Sequence, residues 1–115
     1  MIKIRWDLSE AVVLVDTFLT NWGRLSVPED QLLNLSEMYK RKATASGLFF
    51  DEKYRNLSGL RMQLACVQYV VTNGQEGMPN AAKVFHDAYK LFCDNPGEFN
   101  DIKDEFYRLY GDPSA

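Results

Sequence analysis

Apolar residues recur every three or four positions in five segments of the sequence, and this spacing constrains the fold more than any other feature. Side chains at that spacing share one face of an α-helix, whereas a half-buried strand needs strict alternation. The segments are residues 8–22, 27–45, 57–72 and 80–93, and the stretch from Asn95-Pro96 to Tyr110. The pattern therefore predicts an all-α fold, a compact bundle of about five helices that forms a single domain over residues 1–115.

Start signals accompany several of these segments. Asp7 with Glu10 predicts a capping box for the first helix, and Ser26 with Glu29 predicts another for the second. Asn56 is placed to cap the third helix. Residues 1–6 alternate weakly, so we expect at most a short N-terminal extended arm there.

Several side chains are expected to face inward. The third segment is the most apolar, so we expect its helix to be central, with Leu64 and Val67 buried. The aromatic connector over residues 48–56 is expected to pack on the core. The two cysteines have no CxxC partner, which predicts small buried side chains in a reducing compartment. The inward-facing set also includes Trp22, Cys66, Cys93 and Leu109.

Charge and hydropathy exclude several classes of protein. The longest apolar run, residues 11–15, is too short to span a membrane, and the N-terminus lacks a signal peptide, so we expect a cytoplasmic protein without membrane contact. The net charge of −3 argues against a non-specific nucleic-acid binder. The charge is uneven, however, since residues 36–61 carry a net +3 and residues 62–115 a net −4.

Catalytic motifs are missing from the sequence. His86 is the only histidine, so a histidine-rich metal site cannot form. No phosphate-binding GxxxxGK[ST] loop, GxGxxG fingerprint or GxSxG elbow is present. We therefore expect no enzymatic activity, no catalytic residue, no metal and no cofactor.

The central basic segment is the strongest candidate for a binding site. Arg55 precedes the start of the third helix, where arginine and free backbone N–H groups commonly contact phosphates. Two alternatives stay open: Lys40–Lys42 complement the dipole at the end of the second helix, and Arg55 pairs with Asp51 or Glu52. The candidate nucleic-acid-binding residues are Lys40, Arg41, Lys42, Lys53, Arg55, Asn56, Arg61 and Gln63.

The same region resembles a known family. The run from Lys42-Ala43 through Gly47-Leu48 to Asp51-Glu52-Lys53-Tyr54-Arg55-Asn56-Leu57-Ser58-Gly59-Leu60-Arg61-Met62-Gln63-Leu64 resembles a small helical accessory domain. That domain lies ahead of the nuclease in bacterial HNH-type restriction-like endonucleases and related defence-locus proteins. Trp6 with residues 10–19, and residues 74–85, resemble its flanking segments, so the similarity covers residues 6–110. It implies a DNA-associated accessory role, and because the sequence stops where that nuclease begins, we expect no cleavage.

An acidic surface supports a different class of function. Asp101, Asp104 and Glu105 lie on the fifth helix, and an acidic face can occupy a basic groove on a partner. The alternative function is a protein-interaction adaptor, or a phage or mobile-element inhibitor, that docks on a nuclease or another defence protein. A solvated helix face explains the same residues, and the pattern does not predict an oligomeric state.

Overall fold

The structure, a computed structural model, describes residues 4–112 as five α-helices joined by loops. They are α1 (Leu8–Thr20), α2 (Glu29–Ala45), α3 (Leu57–Val71), α4 (Lys83–Asp94) and α5 (Pro96–Tyr110). The predicted all-α bundle is confirmed, and no strand occurs between residues 4 and 112. The expected arm over residues 1–6 lies partly outside the described residues, and residues 4–7 lead directly into α1. None of the described helices is long and apolar enough to cross a membrane.

The central helix is α1, so the expectation that α3 occupies the centre is wrong. Residues 11–15 of α1 are all fully buried, and they form the apolar run Ala-Val-Val-Leu-Val. A helix that is apolar all round has to be covered on every side. In contrast, α3 presents Arg61 and Met62 to solvent while it buries Leu64 and Val67, as predicted.

Helix starts agree with the sequence where a side chain can reach the first turn. Asp7 caps α1 in a complete capping box with Glu10. Asn56 caps α3 by accepting a hydrogen bond from the N–H of Gly59 at 2.8 Å. Both caps were predicted from the sequence. They fix the starts of α1 and α3, and the segments that precede these helices contribute to the candidate site described below.

Two predicted helix starts are wrong because of backbone constraints. The Ser26–Glu29 capping box does not form, since α2 begins after Pro28. Proline disfavours helical geometry in the residue before it, which keeps Val27 outside the helix. The fourth helix does not begin at residue 80, because Asn80 has a φ of +69° and cannot belong to a right-handed helix.

Several side chains expected inside are exposed. Trp22 is 87% exposed because α1 has already ended and the residue has a left-handed φ of +62°. Leu109 is 52% exposed in the last turn of α5. Cys93 is exposed, whereas Cys66 is buried as predicted. The connector packs only in part, since Phe49 is 90% exposed.

Candidate functional site

The segment before α1 is anchored by an aromatic cluster. The ring of Trp6 lies 5.1 Å from that of Tyr39 and 5.3 Å from that of Phe85, measured between centroids. Tyr39 in turn donates its hydroxyl hydrogen to the carbonyl oxygen of Glu10 at 2.8 Å. Trp6 therefore holds its neighbour Arg5, which is exposed, beside α3 and α4.

Arg55 lies inside the molecule rather than on its surface. Its side chain is only 8% exposed, and its guanidinium carbon lies 4.0 Å from the ring centroid of Trp6 and 4.7 Å from that of Tyr54. The backbone there has a φ of +47°, and its carbonyl oxygen accepts a 2.6 Å hydrogen bond from the hydroxyl of Ser36. The connector therefore places the guanidinium of Arg55 against the aromatic ring of Trp6.

The partner of Arg55 is Glu10, rather than Asp51 or Glu52. The Nε of Arg55 donates to Oε2 of Glu10 at 3.4 Å, and Glu10 is 2% exposed. Burial raises the pKa of the Glu10 carboxyl, and the guanidinium of Arg55 opposes that shift. The pair links α1 to the connector before α3.

One nitrogen of Arg55 is left without a partner. Its Nη2 atom is buried and has no hydrogen bond to any group within residues 4–112. Buried polar groups in proteins almost always have a partner, so this nitrogen is an exception among the described side chains.

A groove adjoins this guanidinium, between residues 4–6, α3 and the start of α4. We name it the α3–α4 groove, and its volume is about 760 Å³. Its cationic side chains are Arg5, Arg55 and Lys83, and no Asp or Glu of the described chain lines it. Its other lining residues are Ile4, Trp6, Met62, Gln63, Cys66, Met78, Pro79, Asn80, Ala82 and Val84.

The loop before α4 forms one wall of this groove and is held close to α3. The N–H of Met78 donates to the carbonyl oxygen of Ala65 at 3.0 Å. Gly77 makes this approach possible, because a Cβ there would lie 2.3 Å from the same carbonyl oxygen. Its φ of +91° also favours glycine.

The predicted nucleic-acid-binding residues do not form one surface. Two of them, Arg55 and Gln63, line the α3–α4 groove. Lys53 is exposed and Lys40 is half-buried. The predicted cap, Asn56, has its side-chain oxygen engaged at the start of α3.

The remaining three are held by groups of the same chain. The Nη1 of Arg41 donates to the carbonyl oxygen of Tyr110 at 2.7 Å, and that of Arg61 donates to the carbonyl oxygen of Val27 at 3.3 Å. Lys42 forms an ion pair of 2.5 Å with Asp7. These contacts connect separate segments of the fold, so these three cations stabilise the structure without any ligand.

A second, smaller groove lies between the start of α1 and α5. We name it the α5 groove; it measures about 310 Å³. Its lining residues are Ser9, Lys42, Asp101, Ile102, Glu105, Phe106, Leu109 and Tyr110. Of the predicted acidic residues, Asp101 and Glu105 line it, whereas Asp104 is exposed elsewhere on α5.

Sequence reasoning missed Arg5, Lys83 and Glu10 as parts of the site. Arg5 lies next to an aromatic residue just before a capped helix, and Lys83 opens α4 after a glycine- and proline-containing loop. In both cases the sequence places a cation next to the start of a helix, and this feature could have identified the two residues as candidates. Nothing in the sequence indicated that Glu10 pairs with Arg55, because the predicted capping box already explained a glutamate at that position.

Neither a metal centre nor a family assignment emerges. Among residues 4–112, no three His, Cys, Asp or Glu side chains are grouped so that they could hold a metal ion. Comparison with protein-family models, curated proteins and solved structures found no match to this chain.

Proposed function

We propose that this chain is a non-catalytic module that binds single-stranded nucleic acid, DNA in the first place, in the α3–α4 groove. One observation carries the proposal: in a chain of net charge −3, this groove is lined by three cations and by no carboxylate of the described residues. Exposed cations attract phosphates, and of these three Arg5 and Lys83 are exposed, whereas Arg55 is buried against Glu10.

The shape of the groove favours an unpaired strand. A duplex is read by an element that protrudes into its grooves, whereas a concave site receives its ligand. The apolar side chains of Met62, Met78 and Pro79 offer surface to bases, while Arg5 and Lys83 lie where they can contact phosphates. Single-strand sites combine a positively charged groove with aromatic side chains on which bases stack, and Trp6 is an aromatic side chain that lines this groove.

This contact set is narrower than the basic segment 40–61. Arg55 and Gln63 remain in it, and Arg5 and Lys83 join it. Lys40 and Lys53 would contribute at most from outside the groove. The role that we propose is that of a cytoplasmic accessory domain, which adds nucleic-acid binding to a nuclease of a restriction or defence system, as the resemblance of residues 6–110 implies.

Fluorescence anisotropy of a labelled single strand of about 12 nucleotides tests this proposal. Arg5→Ala with Lys83→Ala should weaken binding by at least about tenfold, a loss of about 1.4 kcal/mol. Lys40→Ala with Lys53→Ala removes the same charge outside the groove and should change the affinity less than about threefold. The log–log salt slope of the wild type should be about −1.4, from the two phosphate contacts of Arg5 and Lys83.

Two results would contradict the proposal. One is that both double variants weaken strand binding equally, which would indicate that the central basic segment, residues 40–61, also contacts the strand. The other is no binding at about 50 mM salt, where electrostatic affinity for nucleic acid is high.

A second candidate function is that of a protein-interaction adaptor, and the α5 groove favours it. Its apolar floor of Ile102 and Phe106 lies beside Asp101 and Glu105, which suits a basic amphipathic segment of a partner. A partner captured from nuclease-treated lysate should be lost with Asp101→Asn and Glu105→Gln. Capture should persist with Asp87→Asn, which removes a carboxylate of α4 outside that groove.

A further inference from the structure

The methionines that the structure describes divide into one buried side chain and two exposed ones. Met38 lies in the core with 1% of its surface exposed, whereas Met62 is 51% exposed and Met78 is 44% exposed. Both exposed methionines line the α3–α4 groove, and Met38 does not. An oxidant dissolved in water therefore reaches the two thioethers of the groove, while the core covers the third.

Two different elements hold these thioethers at the groove. Met62 lies on α3, one helical turn before Cys66. Met78 lies in the loop before α4, where its backbone N–H donates to the carbonyl oxygen of Ala65 at 3.0 Å. That hydrogen bond fixes the backbone of Met78 against α3, so the fold itself places the side chain at the groove.

The thiol of the same groove is a poorer target for oxidation than the thioethers. Cys66 is 8% exposed, and burial raises the pKa of its thiol, so little of the reactive thiolate is present at neutral pH. A thioether has no proton to lose, so its oxidation does not require deprotonation. Cys93 is exposed but does not line the groove. Oxidation at the groove therefore falls first on Met62 and Met78.

Oxidation of these side chains would change both properties on which strand binding depends. A methionine sulfoxide is polar, so it no longer offers an apolar surface to the bases. Its new oxygen is also a hydrogen-bond acceptor, which competes with phosphate for the exposed cations Arg5 and Lys83 of the same groove.

We propose that Met62 and Met78 form a reversible oxidation site, at which a peroxide releases the strand from the α3–α4 groove. The inference rests on the proposed function, because it names how binding at the same groove is regulated. The sulfur lone pair attacks one peroxide oxygen, and the O–O bond breaks as the S–O bond forms. The proton on the transferred oxygen passes to the departing hydroxide, which leaves as water.

Each thioether is thereby oxidised to a sulfoxide, and one molecule of hydrogen peroxide is reduced. The reverse step needs a methionine sulfoxide reductase, which removes the oxygen as water while two of its thiols become a disulfide. Reversibility distinguishes this modification from damage, and it belongs to methionine rather than to a further oxidised cysteine.

The test measures strand affinity before and after treatment with hydrogen peroxide, by fluorescence anisotropy of the same labelled strand. A Cys93→Ser background removes the exposed thiol. Peptide mass mapping should show one added oxygen on Met62 and on Met78, and none on Met38. The oxidised protein should bind the strand at least about fivefold more weakly, and reductase treatment should restore the affinity. The melting temperature should change little, because both oxidised side chains lie at the surface.

Leucine variants provide the matched control. Met62→Leu with Met78→Leu keeps apolar side chains of similar size that peroxide does not oxidise, so strand affinity should be near that of the wild type before and after treatment. Met38→Leu removes the buried thioether and should keep the response of the wild type. A bound strand should in turn slow the oxidation of Met62 and Met78, because the coupling between two binding events is reciprocal.

The outcomes distinguish this inference from the proposed function. If oxidised and untreated protein bind the strand equally well, the oxidation site is wrong and strand binding by the groove stands. If the double leucine variant loses affinity after treatment as the wild type does, another group is the target and the inference is overturned. If the untreated protein binds no strand, the proposed function falls, and the oxidation site falls with it.

Discussion

The α3–α4 groove and the α5 groove have similar apolar surfaces and opposite charges. Methionine, proline and valine side chains line the first, and Ile102, Phe106 and Leu109 line the second. The first has three cations and no described carboxylate, whereas the second has the carboxylates of Asp101 and Glu105 and one cation, Lys42. Because apolar contact is non-directional, we expect the charged side chains to determine which class of ligand each groove would bind.

The two grooves also differ in how far their polar groups are satisfied. In the α5 groove, Lys42 is paired with Asp7, and Glu105 accepts a 2.9 Å hydrogen bond from the Nε of Arg108. In the α3–α4 groove, Arg55 keeps a buried nitrogen without a partner among the described residues. An unsatisfied buried donor costs more free energy than an exposed charge that water hydrates, so the polar groups beside the α3–α4 groove are the less completely satisfied of the two sets.

The largest expected effect concerns the core under the two grooves. Leu64 of α3 is fully buried, so Leu64→Ala should lower the free energy of unfolding by about 2–5 kcal/mol. Leu109 lines the α5 groove and is 52% exposed, so Leu109→Ala should cost about 0.5 kcal/mol or less. Urea denaturation measures both, and equal losses would show that the burial assigned to the two helices is wrong.

A smaller effect isolates the wall of the α3–α4 groove. Gly77→Ala should destabilise the protein by about 1–3 kcal/mol, because the added Cβ meets a backbone carbonyl and the φ is positive. Gly47 has a φ of +73° but nothing within 4 Å of an added Cβ, so Gly47→Ala should cost less. Only Gly77→Ala should also weaken strand binding. Equal thermal destabilisation by the two variants would show that the close approach of Gly77 to the carbonyl oxygen of Ala65 does not determine the effect.

The smallest effect concerns Asp7, which caps α1 and pairs with Lys42, a residue that lines the α5 groove. Asp7→Ala should cost about 0.5–2 kcal/mol, whereas Asp7→Asn keeps a capping side chain and should cost less. Burial alone would raise the pKa of Asp7, but the hydrogen bonds from Lys42, the N–H of Glu10 and Ser9 bring it below its ordinary value.

The pH dependence of stability follows from that lowered pKa. Because the folded pKa lies below the unfolded one, the contribution of Asp7 is fully present above the ordinary value of 3.8 and is lost as the pH falls below it. The stability difference between wild type and Asp7→Asn should therefore shrink on acidification through that range. A difference that stays constant with pH would contradict the lowered pKa.

Local signals predicted the fold better than the site. The caps at Asp7 and Asn56 depend on residues three positions away, so the sequence contains the whole interaction. The Arg55–Glu10 pair joins residues 45 positions apart, and nothing local distinguishes it from a pair with Asp51. The errors at Trp22 and Cys93 arose from extending an apolar stripe beyond the point where neighbouring helices cover it.

The α3–α4 groove could not be predicted from the sequence, because it also depends on residues that are far apart along the chain. Its cations come from the segment before α1, the connector before α3 and the first turn of α4. Counting charge along the chain instead selected residues 40–61, in which Arg41, Lys42 and Arg61 serve contacts between elements. Only the packing of the helices reveals which cations are available to a ligand.

The most direct test of the account is whether a single strand enters the α3–α4 groove. Cys66 lines that groove, and burial raises the pKa of its thiol, so thiol labelling should be slow and is best followed at mildly alkaline pH. Cys93→Ser removes the exposed thiol, and Leu109→Cys in the same background adds a more exposed comparison thiol in the α5 groove. The strand should slow the labelling of Cys66 and leave that of the introduced thiol unchanged. Protection of the introduced thiol alone, or of neither, would contradict the account.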